Sequence, residues 1–206
     1  MLCMLALDVT RFARPFNSFG TRTANTIVQF DASLEGAGFL IYRRHPTSGV
    51  ESVWGASLVP LLSLKFGEDS GYQNTSEFLK AIIGILTCLR TTEAAESHVV
   101  IDLRGDSVSA LQWANTSRFN SESVNRAAIL FTLILVRQRV VIANVEHVAG
   151  ECNGICDDLS RRDVTGAFRT VTQAVPGATD LKAADDWRVQ EADYAIRNHR
   201  PPLKQR

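Results

Sequence analysis

The sequence lacks the features of a disulfide-rich, membrane-spanning or strongly charged protein. Its 206 residues include four cysteines, Cys3, Cys88, Cys152 and Cys156, too few and too scattered for a disulfide framework. The longest apolar run, AAILFTLILV, falls well short of the roughly 20 residues that cross a membrane. The apolar start MLCMLAL lacks the basic residues that open a signal peptide. These absences favour a reduced intracellular compartment, cytoplasmic or nuclear, and no membrane partner.

An excess of charge of either sign is also missing. The 22 basic and 22 acidic residues cancel, whereas a basic excess is typical of nucleic-acid-binding proteins. The zero sum does not exclude such binding, because the distribution of charge over the surface matters more than its total. With 45% hydrophobic residues, the chain is long enough for one sizeable core with residues left over.

The first half of the chain predicts three strands and a helix. Extended patterns in IVQF and FLIY flank a turn at 34–36, and VESVWGASL follows a second turn-rich stretch, so the three strands form an antiparallel meander. TSEFLKAIIGILTCLRTT carries apolar residues at the 3.6-residue period of an amphipathic helix. Thr75 or Ser76 would cap this helix, and Glu77 would then open it.

The second half predicts two more strands, HVVIDLRGD and VVIANVEHV, and three helices within SVSALQWANT, SESVNRAAILFTLILVRQ and NGICDDLSRR. The order β-β-β-α-β-α-α-β-α implies right-handed crossovers. We therefore expect an α/β fold with a mixed five-stranded sheet, a three-strand antiparallel meander plus two parallel strands, flanked by helices. Residues 26–166 form this domain, 1–25 an N-terminal extension, and 167–206 an appendage that is disordered or carries a short helix around 185–196.

Four acidic residues occupy special places on this framework: Asp31 within the first strand, Glu77 on the first helix, Asp106 just past the fourth strand and Asp157 early in the last helix. If the first and fourth strands are neighbours, Asp31 and Asp106 lie side by side and the other two lean over the same end. Packed carboxylates raise one another's pKa, and Mg²⁺, which prefers oxygen ligands, relieves that repulsion. The competing interpretation of any single acid is a surface charge or a helix cap.

Four segments carry a family resemblance. FDASLEGAGFLIY, NTSEFLKAIIGIL and IDLRGDSVSALQW resemble the first three motifs of the ribonuclease H superfamily. VEHVAGECNGICDDLSRR resembles the fourth motif, in the version found in retroelement reverse transcriptases of the Ty3/gypsy and DIRS kind. Each motif is weak alone, but four in the right order on the right elements are specific. The resemblance covers residues 26–162.

The resemblance implies that Asp31, Glu77, Asp106 and Asp157 are the catalytic metal ligands. Asp158 competes with Asp157, but Asp157 leaves Leu159 at a core position. Asp102 competes with Asp106, but it lies in the middle of its strand.

His147 has two open interpretations. It could assist proton transfer or product release, as a mobile histidine does in cellular members of the family, or it could make a structural hydrogen bond. A zinc site built from His147, Cys152 and Cys156 is a weaker alternative, because the spacing matches no common zinc pattern and a fourth ligand is lacking.

The activity implied by the resemblance is hydrolysis of the RNA strand of an RNA–DNA hybrid with two Mg²⁺ ions, for which Mn²⁺ could substitute. Candidate contacts to the substrate backbone are polar residues that flank the acids: Ser33, Asn74, Thr75, Ser107 and Gln112. Each of these is equally typical of a cap or a turn. Trp113 is expected in the core or at its rim.

The basic, Trp-containing insertion of the cellular enzymes is absent here. The corresponding stretch, ANTSRFNSES, has Arg118 as its one cation, and phosphate binding rests on Lys and Arg. We therefore expect this chain to bind the hybrid weakly by itself. A reverse transcriptase polymerase domain or another subunit would then provide most of the binding affinity. The basic end RNHRPPLKQR could contribute. Two other function classes stay open: a relative that acts on DNA, such as an integrase or resolvase, and a catalytically silent scaffold or nucleic-acid-binding subunit.

Overall fold

The computed structural model describes residues 23–33, 36–44, 49, 51–58, 70–91, 99–116, 122–161 and 170–180. Its elements are β1 (Thr26–Ala32), β2 (Ala37–Arg44), β3 (Glu51–Leu58), α1 (Ser70–Cys88), β4 (Val99–Gly105), α2 (Val108–Thr116), α3 (Glu122–Arg137), β5 (Val140–His147), α4 (Gly154–Ser160), α5 (Val171–Ala174) and β6 (Thr179–Asp180). Short 3₁₀ turns follow α1 at Leu89–Thr91 and precede α4 at Gly150–Cys152. No helix in these described ranges is both long and apolar enough to cross a membrane.

The strands form one mixed sheet in the order β5-β4-β1-β2-β3-β6. The pairs β1–β2 and β2–β3 are antiparallel, whereas β1–β4 and β4–β5 are parallel. This arrangement confirms the predicted α/β fold class, an antiparallel meander plus parallel strands flanked by helices.

The predicted strand count of five was wrong by one. Strand β6 pairs in parallel with β3 through Thr179↔Trp54 and Asp180↔Gly55. It comes from the stretch predicted as an appendage. A two-residue strand is too short to show alternation, so no sequence pattern could have revealed it. The predicted division into domains stays a prediction, and the predicted helix at 185–196 and residues 1–22 lie outside the described part of the chain.

The main core lies between one face of the sheet and helices α1, α2 and α3. Strand β4 shows the expected alternation, with every second residue buried. Phe78 on α1 meets the rings of Phe131 and Trp113 edge-on, with centroids 5.3 and 5.9 Å apart. Trp113 is half-buried against this core, which agrees with its expected place at the rim.

Helix α4 covers the opposite face, over β1, β2 and β3. A second apolar cluster, Leu40, Cys156, Leu159, Val171 and Ala178, joins it to the sheet and to α5. The approach of α4 to β2 depends on Gly38, because a Cβ there would clash with the carbonyl oxygen of Cys156 and with Cβ of Leu159. The last helix is therefore held directly against the sheet.

The predicted start of the first helix was wrong. Helix α1 begins at Ser70, so Thr75 and Ser76 lie inside it rather than capping it, and Glu77 is its eighth residue. Serine and threonine favour caps because their side chains compete for backbone groups. Here both are buried, and tertiary packing outweighs that local preference.

Candidate active site

Asp31 lies at the centre of the candidate site, next to last in β1. The parallel register of β1 and β4 pairs Gln29 with Arg104, and two residues further on it brings Asp31 beside Asp106, the first residue after β4. The two strands are neighbours, as the interpretation of the acids required. Asp31 is only 5% exposed, whereas Asp106 is exposed.

The electrostatic environment of Asp31 connects three of the predicted acids. Burial raises the pKa of the Asp31 carboxyl to about 6; a hydrogen bond from Ser160 opposes the rise, and the carboxylates of Asp106 and Asp157 add to it. The nearby Arg161 also opposes it. A buried acid that interacts with two others at the end of a sheet is unfavourable without a compensating cation.

Asp157 lies in the first turn of α4, half-buried. Its Oδ1 accepts a hydrogen bond from Nε of Arg161, four residues later and just past the end of the helix, at 2.5 Å. Leu159 is fully buried, which is the core position that counting along the motif assigned to it. Asp158 is exposed.

Glu77 projects from α1, which packs against β1. Glu77 and Asn74, one turn earlier, are both half-buried, whereas Thr75 is buried. Thr75 is therefore less accessible to a substrate than Asn74. Glu77 has polar partners of its own.

Asp102, the alternative to Asp106, lies in the middle of β4. Its carboxylate is 3.8 Å from the guanidinium of Arg104, two residues along the same strand. Asp102 thus lies away from the strand end that carries Asp106.

His147 is the last residue of β5 and is exposed. It pairs with Gly105 in the register of β4 and β5, and the next amide, of Val148, donates to the Gly105 carbonyl at 2.8 Å. His147 is thus at the same edge of the sheet as Asp106. Both of its predicted roles stay open.

The zinc alternative gains no support. Cys152 is exposed, whereas Cys156 is buried in the second cluster. Burial raises the pKa of the Cys156 thiol, and the negative charge of Asp31 raises it further. Zinc binds the thiolate, so this environment opposes zinc binding.

Of the residues predicted to contact the substrate, Ser107 and Ser33 hydrogen-bond other groups of the protein, and Gln112 is exposed. Ser107 accepts a hydrogen bond from the Ala110 amide at 3.3 Å and so caps α2. Ser33 accepts from the Gly36 amide at 3.0 Å within the β1–β2 turn and donates to the carbonyl of Ser160. Gln112 is exposed on α2.

Two residues of the site were missed by the sequence analysis. Asn153 lies immediately before α4, and Ser160 is the last residue of that helix. Each donates a hydrogen bond to one oxygen of the Asp31 carboxylate. The sequence signal for Asn153 was its position at a helix start, which is typical of an N-cap. Nothing in the pattern indicated that its side chain would reach β1 instead.

The donor chemistry fits a divalent cation. Carboxylate oxygens are what Mg²⁺ prefers, and the buried, anion-flanked Asp31 is the group that a cation would stabilise. Within the described ranges, however, no group of three or more acidic, histidine or cysteine side chains is drawn together closely enough to hold an ion. Metal binding would therefore have to bring Asp106 and Asp157 closer to Asp31.

No protein-family model matches the chain, and no curated protein matches it. Among solved structures, ribonuclease H1 from the halophilic archaeon Halobacterium salinarum is similar, with 14% identity over 65% of this chain and 91% of that one, at a TM-score of 0.41. The N-terminal ribonuclease H domain of rv2228c from Mycobacterium tuberculosis has 15% identity over 66% and 91%, at a TM-score of 0.40. LC11-RNase H1, isolated from compost by a metagenomic approach, has 16% identity over 66% and 93%, at a TM-score of 0.43.

Proposed function

We propose that this chain is a metal-dependent endoribonuclease that cleaves the RNA strand of RNA–DNA hybrids. The observation that carries the proposal is the buried Asp31, beside Asp106 at the end of β4 and within electrostatic reach of Asp157 on α4. The order of the four sequence motifs supports the same activity. The likeness of the fourth motif to that of retroelement reverse transcriptases supports a retroelement origin.

The residues that would hold divalent cations are Asp31, Asp106 and Asp157, with Glu77 as the fourth acid of the proposed set. When bound, two Mg²⁺ ions supply activation of a water and stabilisation of the leaving oxygen in phosphodiester hydrolysis. Asp31 presents a fixed carboxylate, because both of its oxygens accept hydrogen bonds from buried side chains. Asp106 is exposed and so is accessible to a phosphate from solvent.

Substrate binding in this proposal uses the polar residues around the same edge. An RNA strand is distinguished by its 2′-hydroxyls across a wide, shallow minor groove, and Asn74 and Gln112 are accessible enough to contact that groove. The exposed imidazole of His147 is suited to exchange a proton with the substrate or with water. In this proposal, most of the affinity for the hybrid comes from a neighbouring polymerase domain or subunit.

The test is a cleavage assay with Mg²⁺ on labelled RNA–DNA hybrid, RNA duplex and DNA duplex. We expect the wild-type chain to cleave the hybrid and neither duplex. Asp106→Asn should cleave the hybrid at least about 100-fold more slowly, because an acid that holds the cation is lost. Asp158→Asn is the matched control, an exposed acid on α4, and should cleave at the wild-type rate. Cleavage of the DNA duplex would favour a DNA-acting relative and overturn the proposal.

A catalytically silent scaffold is the second candidate. It is favoured by the pairing of Asp157 with Arg161 and by the lack of a ready-made ligand group in the described ranges. Binding of the hybrid with no cleavage under either Mg²⁺ or Mn²⁺ would favour this candidate.

A further inference from the structure

Helix α4 is joined to strand β1 by a buried side chain at each end. Asn153, just before the helix, is 1% exposed, and Ser160, its last residue, is fully buried. The Asn153 amide nitrogen donates to the Phe30 carbonyl at 3.1 Å and to Oδ1 of Asp31 at 3.2 Å. Its Oδ1 accepts a hydrogen bond from the side-chain Nε2 of Gln29 at 2.8 Å. These contacts join residues more than 120 positions apart in the sequence.

The role of Asn153 is not that of an ordinary helix cap. It occupies the N-cap position of α4, yet its side chain makes no capping hydrogen bond to that helix. Asparagine at this position normally stabilises a helix through such a bond, typically by about 1 kcal/mol. Here its donors and its acceptor are all directed to β1. Local helix stability therefore does not explain what the amide does.

Ser160 completes the arrangement from the other end. Its Oγ lies 2.7 Å from Oδ2 of Asp31 and 2.9 Å from the main-chain oxygen of Asp157. A hydroxyl has a single proton, and its bond to an ionised carboxylate is the stronger of the two. Each oxygen of Asp31 thus accepts from one fixed donor and keeps further lone pairs for another partner.

We propose that Asn153 and Ser160 are positioning residues that orient the Asp31 carboxylate toward a divalent cation. The inference rests on the proposed function, because it assigns Asp31 as a metal ligand. Side chains that hydrogen-bond a metal ligand fix its orientation, and their loss typically weakens metal binding by about 10- to 100-fold. Asn153 and Ser160 also hold the helix that carries Asp157, so the same bonds set the separation of two proposed ligands.

The test uses Ser160→Ala, which removes a single oxygen atom, against Ser57→Ala as the matched control. Ser57 also holds α4 to the sheet, by donating to the Leu159 carbonyl at 2.9 Å from β3, but it makes no bond to Asp31. The probe is Mn²⁺ alone, titrated by electron paramagnetic resonance, followed by kcat and KM on the hybrid. We expect Ser160→Ala to bind Mn²⁺ about 10-fold more weakly and to lose kcat at unchanged KM.

The control should match the wild type in Mn²⁺ affinity and in kcat. Asn153→Ala, which removes three hydrogen bonds, should change Mn²⁺ affinity in the same direction as Ser160→Ala. Equal Mn²⁺ affinities for Ser160→Ala and Ser57→Ala would overturn the inference. If Ser160→Ala weakens Mn²⁺ binding but even the wild-type chain cleaves no hybrid, the positioning role holds and the proposed function fails. Absence of saturable Mn²⁺ binding by the wild type would overturn both.

Discussion

Replacing Gly38 by alanine should displace the helix that carries Asp157. A Cβ at this position of β2 would lie 2.6 Å from Cβ of Leu159 and 2.9 Å from the amide nitrogen of Ser160, where ordinary contact begins at 3.4 Å. Helix α4 would therefore have to retreat by more than about 1 Å, because the carbonyl oxygen of Cys156 lies closer still and close-packed backbone has no room to give. The change is small in volume but acts on the main chain of the helix.

The retreat has a cost in stability and a cost in site geometry. Overpacking of this kind destabilises a protein by about 1–3 kcal/mol, which for a chain of this size lowers the Tm by roughly 2–12 °C. The 2.7 Å bond from Ser160 to Asp31 would lengthen to more than about 3.5 Å, beyond the range of a hydrogen bond. We expect Gly38→Ala to weaken Mn²⁺ binding as well as to lower the Tm.

Thermal unfolding and Mn²⁺ titration of the same preparation measure both effects. Gly154→Ala is the control within the same helix, because a Cβ there has nothing within 4 Å, and it should be neutral or slightly stabilising. A Tm for Gly38→Ala within 1 °C of the wild type would refute the argument that the glycine sets the position of α4.

Three further predictions concern the charges and thiols of the same region. Because the pKa of Asp31 is raised from 3.8 to about 6 in the folded state, the folded chain binds more protons than the unfolded chain between these values, and its stability falls as the pH rises through that window. Asp31→Asn should remove this loss of stability, so that at pH 7 in EDTA its free energy of unfolding is higher than that of the wild type by up to about 3 kcal/mol and its Tm is higher too. A Tm below that of the wild type would contradict this prediction. Arg161→Gln removes the cation paired with Asp157 and should strengthen Mn²⁺ binding several-fold at low ionic strength, where charge interactions are least screened; weaker binding would mean that the guanidinium assists the cation instead of competing with it. Burial raises the pKa of the Cys156 thiol, so iodoacetamide at pH 8 should modify the exposed Cys152 well before Cys156, as read by peptide mass spectrometry, and equal rates would contradict the buried position.

The sequence predicted the sheet because its strands follow simple rules. Alternation marks β1, a continuous apolar run marks β2, and the crossover helices indicate that β4 runs parallel to a strand of the meander. Adjacency of β1 and β4 was a condition of the predicted site, and the structure meets it, which brings Asp31 beside Asp106. The start of α1 did not follow from the pattern, since Thr75 and Ser76 are buried by contacts that a local cap signal does not report.

The arrangement of α4 could not be predicted for a different reason. Its position depends on Gly38, in a strand more than 100 residues earlier, and on the amide of Asn153 bonding β1 rather than its own helix. Both are tertiary contacts without periodicity. An asparagine before a helix looks the same in the sequence whichever partner it takes.

Strand β6 has a practical consequence for anyone shortening the chain. It covers part of the outer side of β3, and Val171 from α5 fills the space above Gly55. Ending the polypeptide at residue 166, the predicted end of the domain, would leave the backbone groups of β3 that pair with β6 open to another molecule, a common route to aggregation. Trimming for crystallisation or spectroscopy should therefore retain the residues through Asp180.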